Sequence, residues 1–121
     1  PKAAIKNLRE SLRLRPQSLS AASLLAWVLA TDPDAQLRNG GEAIALVEPI
    51  AGQKDRLQPL VLDALAAAYA EVGRFDDAFV TAQNAADRAR SFGDTNLAAE
   101  IAGRITRYQA RQPYRSGKSP D

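Results

Sequence analysis

The chain contains no cysteine, no histidine and no methionine, and its 121 residues include only one Trp, three Tyr and three Phe. Without Cys and His there are no disulfides, no thiol nucleophiles, none of the usual zinc sites and no acid–base pair built on imidazole. Zero cysteine is compatible with oxidising and reducing compartments alike, so it assigns no location. A chain that begins at Pro1 with no initiator Met is expected to be a fragment or a processed product. Long apolar runs are missing as well. The longest nearly uncharged stretch, Pro16 to Thr31, contains Gln17 and several Ser and ends at Asp32. It is too short and too polar to span a bilayer, and it does not open the chain as a signal peptide would. A one-sided charge excess is also lacking: the formal net charge is +2. The pI of about 9.3 reflects the absent histidines and a small surplus of Arg.

What is present is alanine and leucine in a chain 45% hydrophobic and 25% charged, the composition of a globular domain. The length suits one core. Apolar residues recur at spacings of three and four and never alternate by two over a useful length, so six helices and no strands are expected. The first is read at Lys2–Arg15, with Ala4, Ile5, Leu8 and Leu12 on one face and Pro16 as its stop. The second covers Leu19–Ala30 and ends in the turn Thr31-Asp32-Pro33-Asp34. After a polar loop to Gly41, Asn39 and Glu42 read as a reciprocal capping pair for a third helix, Gly41–Ala51. Pro49 should kink or shorten that helix. The fourth is Gln58–Val72 with Gly73 as stop signal, the fifth Phe75–Ser91, and the sixth Thr95–Ala110. Residues 111–121 carry Pro, Gly, Ser and cations without an apolar stripe and are expected to be a disordered basic tail.

Helix pairs with short turns make either a bundle or a stacked repeat, and internal repetition decides between them. The run Leu62-x-x-Leu65-Ala66-x-x-Tyr69-x-x-x-Gly73-x-Phe75-x-x-Ala78-x-x-x-Ala82-x-x-Ala85 resembles the 34-residue tetratricopeptide repeat. The small residues Ala66 and Ala78 fall where two helices must approach closely. The resemblance implies an all-α fold of antiparallel helix pairs stacked as a short right-handed superhelical solenoid. It extends over residues 1–110 as one domain. Residues 1–16 match the second helix of an upstream repeat, 19–52 a modified repeat, 58–91 the clear repeat and 94–110 a capping helix. Opening on half a repeat implies that further repeats precede Pro1. The modified repeat departs from the family by about five extra residues between Thr31 and Gly41 and by lacking its closing Pro. Its run from Leu25 through Trp27 to Asp34 resembles a variant found in bacterial repeat proteins.

The same resemblance places Ser20, Ser23, Trp27, Leu60, Asp63, Ala67 and Glu71 along a concave groove where a protein or peptide partner would lie. The family's carboxylate clamp needs Lys and Asn at positions held here by Ser23, Trp27, Asp63 and Ala67, so that mode is not expected. Trp27 has two readings: an aromatic anchor in the groove, or a plug packed beneath the Thr31–Gly41 loop. The second is preferred, because the Trp and the long loop occur together.

Charge is uneven, with net +4 over residues 1–30, −5 over 31–80 and +3 over 81–121. Lys2, Lys6, Arg9 and Arg13 form one basic stripe, and Arg104, Arg107, Arg111, Arg115 and Lys118 a second zone. No nucleic-acid module accompanies either, so nucleic acid is not the expected partner and solvated helix faces are. Asp76 and Asp77 complement a helix N-terminus, Asp32-Pro33-Asp34 lacks the further ligands of a calcium loop, and Gly40-Gly41 lacks the Lys-Ser/Thr ending of a phosphate loop. No catalytic, metal or cofactor residue is therefore assigned. The expected function is a non-catalytic interaction scaffold. The alternatives are a self-assembling repeat protein, with the N-terminal helix around Ile5, Leu8 and Leu12 as the homo-oligomer contact, or the C-terminal repeat region of a bacterial enzyme such as a glycosyltransferase.

Overall fold

The computed structural model describes residues 2–117. Among them are α1 (Lys2–Leu14), α2 (Leu19–Thr31), α3 (Gly40–Val47), a 3₁₀ turn (Glu48–Ile50), α4 (Gln58–Glu71), α5 (Phe75–Ser91) and α6 (Thr95–Gln109), with no strand. The protein is all-α, and none of these helices is long and apolar enough to cross a membrane.

Local chemistry sets the helix ends. The Ser18 side chain accepts from the Ala21 N–H, Asn39 from Glu42 and Asp94 from Leu97, each satisfying one of the donors that a helix start leaves unpaired. The capping pair at Asn39 is one-sided. The Asn39 N–H goes to the Leu29 carbonyl at 2.7 Å, and the Glu42 carboxylate pairs with Arg9 of α1. Pro49 does end α3 early: the helix stops at Val47 and the chain tightens into the 3₁₀ turn.

Three helix ends share one device. At α4, the Gly73 N–H bonds the Ala70 carbonyl and the Arg74 N–H reaches back to Tyr69, with Gly73 at φ +85°. The α5 end repeats this with Gly93. The α6 end repeats it with Arg111 at φ +58°, a position that glycine would occupy without strain.

α4 lies at the centre. It contacts α2, α3 and α5, while α6 packs on α5 and α1 on α2. Ala66, Ala78, Ala82 and Ala85 have no exposed surface, and Leu62, Leu65 and Tyr69 are buried around them. Phe75 is half-buried against the same cluster. A methyl is the largest group that fits where α4 and α5 lie this close. A second close approach is at Gly40, where a Cβ would sit 2.8 Å from Val72 Cγ1 and 3.0 Å from Glu71 Cγ. Glycine there lets the start of α3 rest on the end of α4.

Ile5, Leu8 and Leu12 turn inward against the core through α2. One sequence expectation changes. Residues 112–117, expected to be disordered, follow the Arg111 turn back across α2 and α6 (below). Residues 118–121 of the expected tail lie outside the described residues.

Candidate functional site

α2, α4 and α6 enclose a groove of about 260 Å³. α2 contributes Ser23, Leu24 and Trp27, α4 contributes Leu60 and Asp63, and α6 contributes Leu97, Glu100 and Arg104. Of the seven groove positions expected from sequence, Ser23, Trp27, Leu60 and Asp63 meet here. Ser20 is exposed and lines a different depression, between α1 and α2. Ala67 is buried in the core with 1% exposure, and Glu71 stands at the end of α4, half-buried between two arginines.

The floor is apolar and open, with Leu24 52% and Leu60 42% exposed. Beside it is an ion pair that is nearly closed to water. Arg104 Nε and Nη2 donate to the two Asp63 oxygens at 3.2 and 2.5 Å. Burial pushes the Asp63 carboxyl up to about 6, and the facing guanidinium pulls in the opposite direction. A two-point bond between α4 and α6 fixes their registry, and losing one partner would strand the other charge in a dry site. Fixed in this way, the guanidinium carbon lies 4.8 Å from the Trp27 ring centre and 5.1 Å from that of Tyr114.

Tyr114 belongs to the segment that returns after α6. Its ring packs on Trp27 with centroids 5.6 Å apart, tilted by 40°. Arg107 Nε donates to the Pro113 carbonyl at 3.2 Å, and Arg115 Nη1 lies 2.7 Å from Glu71 Oε1. The Ser116 N–H donates to the Thr31 carbonyl at 2.9 Å, satisfying an acceptor at the end of α2. Trp27 is half-buried and lines the groove. Its ring partners are Tyr114 and Arg104, and the apolar residue that the loop lays on the core is Leu37. Arg38 holds the loop, donating to the Asp32 and Pro33 carbonyls and to Glu71.

The arginines of the second basic zone also have partners within the chain, although Arg107 and Arg111 stay exposed. Arg104, Arg107 and Arg115 make the bonds just described, and Arg111 sits 5.3 Å over the Phe75 ring. Lys118 lies outside the described residues. The first stripe is a helix face: Lys2, Lys6, Arg9 and Arg13 line a shallow depression with Ile5, Glu10 and Leu37. Asp77 pairs with Arg74 at the start of α5, while Asp32 and Asp34 each accept a bond from the backbone two residues on.

Sequence reasoning missed Leu24, Leu97, Glu100, Arg104 and the Tyr114–Arg115 pair. A signal for Arg104 was available. It interrupts the apolar stripe Leu97, Ile101, Tyr108, and Asp63 interrupts that of α4. A charge on each of two buried faces calls for a partner on the other. Comparison with protein-family models, curated proteins and solved structures finds no match to this chain.

Proposed function

We propose that the chain is a helical-repeat scaffold of the tetratricopeptide type. It binds a protein or peptide partner in the groove between α2, α4 and α6 and carries out no chemistry itself. The observation that carries this reading is the groove floor: Leu24 and Leu60 are left open to solvent beside a rigid, buried polar pair. Exposed apolar side chains that converge in a concavity, with few fixed polar groups around them, favour an occupant. The close-packed Ala66, Ala78, Ala82 and Ala85 and the Gly73 turn support the repeat assignment. Self-association through α1 has less support, because Ile5, Leu8 and Leu12 are already engaged with the core.

The test is a peptide array probed with the full chain and three variants. Leu24→Glu and Leu60→Glu sit on exposed positions, so their stability cost should stay near ~0.5 kcal/mol. Val80→Glu, 55% exposed on α5, serves as the control outside the groove. Binding should disappear in the two groove variants and persist in the control. Binding indifferent to Leu60→Glu, or lost equally in Val80→Glu, would remove the groove as the site.

A further inference from the structure

An extended segment of the chain itself lies against the Trp27 end of the groove. From Pro113 to Ser116 the chain makes the three kinds of contact a bound segment makes: a ring on a ring, a cation on a carboxylate, and a backbone N–H on a free carbonyl. We propose that Gln112–Gly117 is a resident ligand mimic, and that the partner is an extended segment of another protein carrying an aromatic residue followed directly by arginine. This rests on the groove being the binding surface, and it adds what the partner looks like and what it must displace.

Three observations select that chemistry. Trp27 and Arg104 lie against each other, and the Tyr114 ring packs beside both. Glu71 lies one residue further along the bound segment, where Arg115 reaches it. The groove itself carries Asp63 and Glu100 against Arg104, and Glu71 at the end of α4 faces Arg38 as well as Arg115. A cationic, aromatic segment is therefore favoured over an acidic one. The Thr31 carbonyl takes a backbone N–H and accepts any extended chain at that point.

The same geometry makes the mimic removable. It turns back through Arg111 at φ +58°, where a side chain is strained and glycine would not be. It lies at the Trp27 end, while Leu24 and Leu60 remain exposed. An incoming segment can settle on the open floor before the resident one leaves. Tethering gives the resident segment an effective concentration on the order of 1 mM. If it is closed about nine-tenths of the time, its intrinsic dissociation constant is on the order of 0.1 mM, and a competitor loses about tenfold in apparent affinity.

The experiment uses the full chain, wild type and Tyr114→Ala/Arg115→Ala, with a dye-labelled, end-blocked peptide Gln-Pro-Tyr-Arg-Ser-Gly followed by anisotropy. Circular dichroism establishes that the variant keeps its helix content, and Arg115→Gln replaces it if it does not. The released variant should bind the peptide about tenfold more tightly than wild type, and a peptide with Ala in place of Tyr should not bind. Equal affinity for both proteins, or no binding by a folded released variant, overturns the proposal. So does a wild-type dimer in light scattering that Tyr114→Ala dissolves, since the groove would then belong to a second copy. If array peptides bind wild type and released variant alike and are lost with Leu60→Glu, the groove stands and the mimic falls. If Leu60→Glu changes nothing, the groove itself is lost.

Discussion

α4 and α1 are nearly equal in length, 14 and 13 residues, yet twelve residues of α4 are buried and only Ile5 of α1 is. α4 touches helices on three sides, while α1 packs on α2 and reaches α3 only through the exposed Arg9–Glu42 pair. The difference lies in side-chain size as much as polarity. α4 meets its neighbours with Ala64, Ala66, Ala67, Ala68 and Ala70, so it can be enclosed without being pushed away. α1 needs only one apolar stripe and spends its other faces on Lys and Arg. A helix enclosed by its neighbours is defined by what it omits, and a helix at the edge by what it repeats. Equivalent changes should therefore cost far more in α4 than in α1.

Cavities give the largest contrast. Leu65→Ala should cost about 2–5 kcal/mol in chemical denaturation, because the surroundings can collapse only partly. Leu8→Ala, on the half-buried edge of α1, should stay below about 1 kcal/mol. Equal costs would remove the distinction. Overpacking comes next: Ala78→Leu should lose about 1–3 kcal/mol by forcing α4 and α5 apart. Ala3→Leu, on an exposed face of α1, should remain within ~0.5 kcal/mol. An unchanged thermal melt for Ala78→Leu would count against the helix-pair alignment. The turns follow. Gly73→Ala should cost about 1–2 kcal/mol for a side chain in left-handed backbone. Arg111→Gly should gain up to ~1 kcal/mol, set against the lost contact with Phe75.

Most of this was legible along the chain. Pro16, Gly73 and Gly93 mark real helix ends, because proline and left-handed glycine act through backbone geometry that neighbours cannot override. The close approach at Ala78 could be read for the same reason. The third Schellman turn was not, since Arg111 stands where glycine is expected, and the segment beyond it carries no stripe. The location of Trp27 under Tyr114 depends on a contact 87 residues away in sequence, which no local pattern encodes. Asp63 was placed in the groove without its partner, although the charge at Arg104 interrupting the α6 stripe pointed to one.

A contrast in pH dependence concerns that pair. The Asp63 carboxyl is raised in the folded state to about 6 from 3.8. The folded protein therefore holds a proton that the unfolded chain has released, and stability from this group is present below pH 4 and lost as pH rises through 6. Relative to Asp63→Asn, wild type should lose ground in urea denaturation between pH 4 and pH 7. A gain over that interval would mean that Arg104 outweighs burial.

The central claim is that the segment after α6 closes over Trp27 in the groove, and the single tryptophan reports on it directly. Acrylamide quenching of the wild type should show a partly shielded indole. Tyr114→Ala should raise the quenching constant and shift emission to the red, while helix content and melting change little. A quenching constant identical in the two proteins would contradict the account, because Trp27 would then lie beyond the reach of that segment.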